Sequence, residues 1–368
     1  MGIRRFGRVR RLPSGRWQAR YHGPDGIDRP APRTFERRAD AERWLAGVES
    51  ELVSGEWIDP DAASVTLEEF GTAWIAERAG LRPKTVQLYR GLLRLHIGPG
   101  LGAIPMAGIS PARVRSWRAN LLDAGVSPVT TAKAYRLLKT ILQTAVDDRL
   151  LRTNPCQIRG ASAERSPERP TLSVAEVMAV ADGMPARLRV LMLLATFGSL
   201  RFGELAALQR RYVDAEQGWV SVRTTMVELV DGSLVIGPPK TAAGRRTVAI
   251  PSSLLAELRW HLAEFVGPSP DALLFVGPKG GPLRRSNFQM WWRAALDSAG
   301  VSRVHFHDLR HTGNTLTAQA GATMSDLMAR MGHASTRAAQ SYLHTTSERD
   351  RVVADALNQL IPSGKAGT

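Results

Sequence analysis

The sequence predicts a multidomain, mainly α-helical protein with a small N-terminal sheet-plus-helix domain, a four-helix domain, and a mostly helical third domain that contains a small β-sheet. The length of 368 residues is too great for one comfortable hydrophobic core. Apolar residues recur at helical spacing over most of the chain, whereas strand-like runs are confined to two regions. The charge also changes abruptly, since residues 1–38 carry 11 Arg against three acidic residues and residues 39–63 carry one Arg against seven. This swing indicates a small basic face backed by an acidic helix.

Residues 1–60 are predicted to form the first domain. Residues 16–21 alternate in a strand-like manner, a Gly-Pro-Asp-Gly turn follows at 23–26, and a second extended run lies near residues 33–35. Apolar residues between 39 and 52 recur at helical spacing, so a small sheet should pack on one helix. Arginines on the exposed sheet face can reach into a DNA groove, although a solvated charged face is the alternative. The candidate DNA contacts here are Arg16, Arg20 and Arg33.

Residues 64–155 are predicted to form the four-helix domain. Thr66 and Glu69 have the spacing of a capping box immediately before an apolar run. Helices are expected at about 67–78, 83–97, 111–123 and 128–148. The segment carries 13 basic residues against six acidic ones, which favours an anionic partner for its polar faces. The candidate DNA contacts in this domain are Lys84, Lys133 and Arg136.

A polar stretch interrupted by Pro and Gly, residues 156–170, is interpreted as an interdomain linker. The third domain, residues 171–368, begins with a second capping box formed by Ser173 and Glu176. Its helical pattern is interrupted by three strand-like runs, which are residues 219–222, 234–236 and 247–250. A short amphipathic helix is expected in the tail, over residues 347–361, docked either within the chain or on a neighbouring subunit.

The composition narrows the class of protein. A net charge of +15 makes a polyanion the natural partner, and nucleic acid is the commonest one. Only six of the 49 basic residues are Lys, so an arginine-rich codon bias is an alternative explanation. No run approaches 18 apolar residues and the basic N-terminus lacks an apolar segment, which predicts neither a membrane span nor a secretory signal. The single cysteine, Cys156, excludes a disulfide framework and a multi-cysteine zinc site, and a cytoplasmic, nucleoid-associated location is expected.

A metal site is the first hypothesis to test in the third domain. His307 and His311 are spaced to lie on one helix face, as in metal-binding H-E-x-x-H helices. However, Asp308 is one carbon shorter than the usual glutamate, no third ligand has an obvious spacing, and the surroundings are strongly basic. No metal and no other cofactor is therefore predicted.

A phosphate site agrees better with the same residues. Arg201 and Arg310 each lie in a partly apolar helix start, where a guanidinium requires a partner. Glu204 has the spacing to pair with Arg201, and for either arginine alone an ordinary helix ion pair is an equal alternative. Two guanidinium groups that converge on one phosphate can stabilise the additional charge of a pentacoordinate transition state.

Two further residues have the chemistry that phosphoryl transfer requires. Lys240 lies in a Pro-Pro-Lys-Thr turn of an arginine-rich chain. A lysine, unlike an arginine, can act as a general acid when neighbouring cations lower its pKa, although a solvated hairpin lysine is the commoner case. Tyr342 lies late in the chain among polar neighbours, and a tyrosine hydroxyl can attack phosphorus once its proton is removed. Together these residues suggest metal-free transfer of a phosphoryl group from DNA to protein.

Five segments closely resemble the boxes of the tyrosine recombinase family, in particular integrases of phages and mobile elements. They occur in the family's order, and the five together are far more specific than any one alone. The resemblance extends to the two preceding domains, which are similar to an arm-type DNA-binding domain (1–60) and a core-binding domain (64–155), and it implies the tyrosine recombinase fold. The five segments are S-L-R-F-G-E-L (199–205), P-K-T-A-A-G-R-R-T-V (239–248), H-D-L-R-H-T (307–312), M-G-H-A-S-T (331–336) and Q-S-Y-L-H (340–344).

The resemblance implies a role for each of these residues. Tyr342 attacks the scissile phosphate and forms a 3′-phosphotyrosine, while Arg201 and Arg310 hold the non-bridging oxygens. Lys240 protonates the leaving 5′-oxygen, and Glu204 supports Arg201.

The two histidines have the remaining implied roles. His307 assists proton transfer with the tyrosine, and His333 forms a hydrogen bond with the phosphate. The phosphotyrosine conserves the energy of the broken ester, so the resemblance implies neither ATP nor metal as a cofactor.

The implied function is site-specific integration of a phage or mobile element, and excision with helpers, through a Holliday junction. The implied partners are double-stranded DNA with core-type and arm-type sites, three further copies of the chain in a homotetramer, a DNA-bending host factor and an excisionase, but no membrane. Two rival enzymes are a chromosome-dimer-resolving recombinase, which normally lacks the basic first domain, and a type IB topoisomerase, which the core-binding domain and short tail oppose. A non-catalytic DNA-binding regulator is opposed by the complete set of site residues.

Overall fold

The structure, a computed structural model, describes residues 6–163, 169–302 and 304–332. The chain divides into two compact units, of which the first ends at residue 166 and the second begins at residue 167. Helices dominate both units, and small antiparallel sheets occur in each. The predicted mainly helical, multidomain class is therefore confirmed. Within the described ranges no helix combines the length and the apolar character that a membrane crossing requires.

The first unit begins with a three-stranded antiparallel sheet, β1 (Arg8–Arg11), β2 (Trp17–His22) and β3 (Asp28–Pro30), packed on helix α1 (Arg38–Ser54). Tyr21 and Leu45 are buried between the sheet and the helix. The predicted strand near residues 33–35 is reduced to a single bridge between Phe35 and Trp17, and the third strand lies earlier in the chain. Prolines at positions 30 and 32 lack the backbone donors that would continue the ladder.

Four α-helices follow in the first unit, and their positions agree with the apolar spacing. Thr66 caps the first of them, since Glu69 donates its backbone N–H to the threonine side chain and accepts that of Thr66 with its carboxylate. The second helix continues as a π-helical segment, Leu93–Gly102, which accounts for the longer helix expected there. The four helices are α2 (Leu67–Ala76), α3 (Pro83–Leu92), α4 (Pro111–Asp123) and α5 (Pro128–Asp147).

The core of these helices extends into the segment that was interpreted as a linker. Cys156 and Ala161 are buried in the same apolar cluster as Tyr135 of α5. The backbone N–H of Ile158 donates to the Tyr135 hydroxyl over 2.8 Å. Burial raises the pKa of the Cys156 thiol to about 12. The early part of residues 156–170 is therefore packed against α5.

The second unit surrounds helix α7 (Ala186–Phe197), which is buried along most of its length. The unit also contains two small sheets: β4 (Val213–Asp214), β5 (Trp219–Val222) and β8 (Arg246–Ala249) form one, and the hairpin β6 (Thr225–Glu228) and β7 (Leu234–Gly237) forms the other. The other helices are α6 (Val174–Asp182), α8 (Phe202–Ala206), α9 (Leu255–Glu264), α10 (Arg285–Ser298), α11 (Phe306–Gln319) and α12 (Met324–Met331).

The core of the second unit fixes the starts of α8 and α11. Phe202 and Phe306, the first residues of these two helices, contact each other edge to face with ring centroids 5.7 Å apart. Both rings also pack against Phe288 of α10. Arg201 immediately precedes α8, and His307 and Arg310 lie in the first turns of α11. The aromatic cluster therefore brings the segment of Arg201 (199–205) and that of Arg310 (307–312) together.

Candidate active site

Arg201 lies immediately before α8 and pairs with Glu204 as its spacing predicts. The Glu204 carboxylate accepts the Arg201 backbone N–H over 2.9 Å and its guanidinium over 2.8 Å. The Arg201 side chain is 37% exposed, whereas that of Glu204 is only 3% exposed. The pair therefore presents its cation outward and keeps its anion inside.

Arg246, on β8, approaches the same carboxylate from the buried side. Its guanidinium donates to both Glu204 oxygens, over 3.1 and 2.9 Å. It also donates to the backbone oxygens of Ser199, Gly244 and Arg330. Burial raises the pKa of Glu204, but the hydrogen bond and charge of Arg246, followed by the charge of Arg201, lower it to about 2 overall. Glu204 is therefore an anion shared between two cations.

Arg310 is buried within α11 and bonds to the backbone on both sides of the site. Its guanidinium donates to the carbonyl oxygens of Ser199 and of Met331, the latter over 2.5 Å. Ser199 is itself buried and has a left-handed backbone, with φ of 52°, which is a strained conformation for a residue other than glycine. Arg246 and Arg310 both donate to the Ser199 carbonyl. The turn that ends α7 therefore connects the segment of Arg201 (199–205) with that of Arg310 (307–312).

His307 lies one turn before Arg310, with an exposed side chain. Partial enclosure by protein, followed by the charges of Arg310, Arg169 and Arg201, lowers the pKa of His307 to about 4. A neutral imidazole is therefore the expected form near pH 7, and it can accept or donate a proton. The exposure of the ring means that solvent screens part of this effect.

Asp308 and Arg169 fix the start of the helix that carries His307. Asp308 is almost completely buried, accepts the backbone N–H of His305 over 2.8 Å, and pairs with Arg169 over 2.9 Å. The hydroxyl of Thr312 accepts the backbone N–H of Leu172 over 3.0 Å and donates to the Asp308 carbonyl oxygen. The segment that leads into the second unit is thus bonded to α11.

Lys240 follows the β6–β7 hairpin and has an exposed side chain. It lies between β7 and Gly244, whose carbonyl oxygen accepts a bond from Arg246. The turn of the hairpin, at its far end from Lys240, is held by Arg284, which donates to Glu228 and to the Gly232 carbonyl oxygen. The contacts described here connect the lysine segment, although not the lysine ammonium itself, to the Glu204 cluster.

The other two predicted catalytic residues, His333 and Tyr342, lie outside the described residues, as does the tail at 347–361. The described chain ends one residue before His333, at Gly332. Gly332 has a left-handed φ of 63°, and a β-carbon there would lie 2.7 Å from the Ala243 carbonyl oxygen. The α12 terminus that precedes His333 is therefore packed directly against the lysine segment.

The predicted DNA contacts of the first unit differ in their exposure and in their hydrogen bonds to other residues of the chain. Arg16 donates to the side chain and carbonyl of Thr34, and with Arg33 it lines a depression beside Arg43. Arg20 pairs with Asp28 across β2 and β3 over 2.8 Å, and its side chain is largely covered. The remaining candidates lie on the helices: Lys84 and Arg136 are exposed, and Lys133 is half-buried.

Three site residues were not identified from the sequence, namely Arg246, Ser199 and Arg169. A signal for Arg246 exists, because alternation along β8 places it on the same inward face as Val248. A charged side chain at an inward strand position requires a buried partner. For Ser199 and Arg169, whose roles depend on contacts distant in sequence, no local pattern is evident.

The chain matches three families over separate ranges. These are described as phage integrase, N-terminal domain (residues 5–54), phage integrase, N-terminal SAM-like domain (residues 66–122), and phage integrase family (residues 172–349). The prophage phiRv2 integrase of Mycobacterium tuberculosis is 36% identical over 365 residues, which cover 97% of this chain and 96% of that protein. The integrase of Mycobacterium phage D29 is 36% identical over 370 residues and covers 97% of each chain.

Solved structures share the fold. The Tn1549 transposon integrase, in complex with a circular intermediate DNA, superposes with a TM-score of 0.71 at 20% identity over 80% of this chain and all of that one. A lambda integrase dimer bound to a core site has a TM-score of 0.59 at 19% identity over 94% of this chain and 97% of that one. The fold and the family matches are those of a site-specific DNA recombinase of the tyrosine class. With relatives of this similarity over its whole length, the chain belongs to the phage integrase family.

Proposed function

We propose that the chain integrates a phage or other mobile element by cutting and rejoining DNA through a 3′-phosphotyrosine on Tyr342, followed by a Holliday junction. The observation that carries this proposal is the convergence of Arg201, Glu204 and Arg310 around the Ser199 turn. An exposed guanidinium next to a second, backbone-bonded one is suited to the charge of a phosphoryl transition state.

The proposed cleavage step balances in atoms and charge. The Tyr342 oxygen attacks phosphorus as its proton passes to neutral His307, and the bond between phosphorus and the 5′-oxygen breaks. Lys240 donates a proton to that oxygen, which leaves as a hydroxyl, while His333 donates a hydrogen bond to the phosphate. A 5′-hydroxyl of a second DNA strand then attacks the phosphorus and gives its proton to Lys240. The bond between phosphorus and the Tyr342 oxygen breaks, and His307 returns the proton to that oxygen. The ester energy is conserved, so the cycle requires no ATP.

We propose the following division of labour along the chain. Residues 1–60 bind arm-type DNA, residues 64–155 bind core-type DNA, residues 156–170 link the units, and residues 171–368 carry out catalysis. The three matched family ranges support these boundaries. A lambda integrase tetramer bound to a Holliday junction is among the structures that share the fold, which supports a homotetramer on DNA. A DNA-bending host factor and an excisionase complete the proposed partners.

A suicide substrate tests the nucleophile. A core site nicked close to the cleavage point releases a short fragment when it is cut, so the covalent adduct accumulates. Wild-type protein should form the adduct in the presence of EDTA, whereas Tyr342→Phe should bind the site and form none. Tyr212→Phe is a matched control, because that tyrosine lies beside β4 in the same unit. An adduct with the Tyr342→Phe protein, or inhibition by EDTA, would contradict the proposal.

A further inference from the structure

Arg246 has an acceptor for each of its five N–H groups among the described residues. Nε donates to the Arg330 carbonyl oxygen over 2.7 Å. One terminal nitrogen donates to Glu204 and to Gly244 over 3.1 and 3.3 Å, and the other donates to Glu204 and to Ser199 over 2.9 and 3.4 Å. A guanidinium offers five donors in a planar arrangement, so this set is complete. The side chain is 5% exposed and cannot itself reach DNA without rearrangement.

These contacts bring four residues from three segments of the site to one buried cation. Ser199 and Glu204 flank Arg201, Gly244 ends the segment that contains Lys240, and Arg330 lies at the end of α12, three residues before His333. Neutral carbonyl groups can accept most of the hydrogen bonds of a buried guanidinium. Of the acceptors in the described part of the chain, only Glu204 carries a full opposite charge. The pairing with Glu204 is therefore the contact of Arg246 that changes the net charge of the site.

The charges explain why this pairing matters for Arg201. If Glu204 bonded to Arg201 alone, the buried pair would have no net charge and would attract a phosphate weakly. With Arg246 on the other side of the carboxylate, the three groups together have a charge of +1. Exposure rises from Glu204 and Arg246, at 3% and 5%, to Arg201 at 37%, so the surplus positive charge faces outward through Arg201.

We propose that Arg246 is a positioning residue for strand cleavage. It neutralises Glu204 from the buried side and so leaves the charge of Arg201 available to the scissile phosphate. This inference rests on the proposed function. It differs from a purely structural role because it makes the harm of losing Arg246 depend on the charge of Glu204.

A double-mutant cycle in the full-length protein separates the two explanations. The variants are Arg246→Met, Glu204→Gln and the combination of both, and the measurements are the Kd for an intact core site and the single-turnover rate of adduct formation. Arg246→Met should slow adduct formation about 100-fold, in the range found when one preorganised donor to a transition state is removed. Its Kd should change no more than about threefold, since many phosphate contacts share the binding of DNA.

The combined variant gives the decisive result. Replacing Glu204 by Gln in the Arg246→Met protein removes the unshared negative charge and restores the net charge of +1 at Arg201. Adduct formation should then recover at least about tenfold over Arg246→Met alone. A structural role predicts the reverse, because the combined variant has lost more hydrogen bonds. A combined variant that is no faster than Arg246→Met would overturn the proposal.

Control variants distinguish failure of this proposal from misfolding of the Arg246→Met protein and from failure of the proposed function. Arg210→Met removes a guanidinium that, within the described part of the chain, bonds to the Leu262 and Val266 carbonyl oxygens and to no residue of the Glu204 cluster, and it should form adduct at the wild-type rate. If Arg246→Met does not fold, Arg246→Lys retains the charge and should cleave within about tenfold of wild type; a folded lysine variant without cleavage refutes the charge argument. Absence of a wild-type adduct, or its persistence in Tyr342→Phe, would instead refute the proposed function.

Discussion

Gly313 of α11 lies so close to Thr196 of α7 that a β-carbon added to the glycine would be 1.8 Å from the threonine carbonyl oxygen. The two helices therefore approach each other with no room for any side chain at this point. The contact lies one turn after Arg310 and three residues before Ser199. It consequently fixes how deeply the arginine of α11 enters the turn that ends α7.

Gly313→Ala should weaken both the fold and catalysis. The clash involves backbone on the α7 side, so relief requires one helix to move, at a cost of about 2–3 kcal/mol in the free energy of unfolding. Urea unfolding and suicide-substrate cleavage measure the two effects. Gly47→Ala is the matched control, because Gly47 also lies within a helix and its added β-carbon would meet no atom within 4 Å. Equal stability of the Gly313→Ala and wild-type proteins would mean that the helices can separate freely.

Local pattern was enough to predict most of the elements. Apolar spacing predicted residues 111–123, and α4 has these bounds because Ser110 accepts the Arg113 N–H at its start. The pattern predicted less where the backbone departs from regular geometry. The π-helical segment Leu93–Gly102 contains Pro99, and strand β1 is a short exposed run of arginines around one valine. Neither has a periodicity that distinguishes it from its neighbours.

The candidate site was predictable only where its contacts are local. The pairing of Arg201 with Glu204 follows from a separation of three residues and is present. Arg246 reaches Glu204 across 42 residues and Arg330 across 84. Such contacts depend on how β8 packs beneath α8 and α12, and single-chain periodicity contains no information about that packing.

Lys240 provides a chemical test of the proposed general acid. Lys240→Ala should slow cleavage of ordinary DNA by about 100- to 10,000-fold, the usual range for loss of a general acid. A substrate with sulfur in place of the bridging 5′-oxygen should restore most of the rate, because a thiolate leaves without a proton. Single-turnover cleavage of both substrates measures the rescue. Lys279→Ala, at another exposed turn lysine, should cleave both substrates normally. A Lys240→Ala protein equally slow on both substrates would exclude the acid role.

The first domain provides a test of arm-type binding. Removal of residues 1–60 should leave core-site cleavage within about threefold of wild type and greatly reduce integration into a full attachment site, because phosphate contacts in that domain are lost. Cleavage and integration assays on the two substrates measure the difference. Arg33→Ala in the full-length chain removes an exposed candidate contact without a large deletion. Integration at wild-type efficiency after the deletion would argue against an arm-binding role.

Arg29 provides a test of how the first domain is attached. Its buried guanidinium pairs with Asp25 of the turn and with Asp59 and Asp61 of the connecting segment. Arg29→Met would leave three carboxylates without their shared cation, and it should destabilise the first domain. Limited proteolysis should then cut the connector near residues 57–61. Arg38→Met is the comparison, since its exposed pair with Glu42 contributes at most about 1 kcal/mol. A connector equally resistant in both variants would contradict this role.

The pKa of His307 predicts how activity and stability depend on pH. Partial enclosure and the charges of Arg310, Arg169 and Arg201 lower it to about 4 in the folded protein, whereas an unfolded histidine titrates near its usual value of 6.5. Between these values the unfolded chain binds more protons, so the stability from His307 is complete above pH 6.5 and is lost as the pH falls toward 4. A neutral His307 can accept the tyrosine proton throughout this range.

Arg169 contributes to the low pKa of His307, and so to the pH below which this proposed base is protonated. Arg169→Gln removes one cation and leaves the buried Asp308 carboxylate without its partner, and both changes favour the charged imidazole. The acidic limb of the cleavage rate should shift to higher pH in this variant. Arg169→Lys should keep the limb near its wild-type position, because it preserves the charge. Rates from pH 4.5 to 8, with folding monitored at each pH, test this. If Arg169→Gln and Arg169→Lys share one pH profile, then the charge at position 169 does not set the protonation of His307.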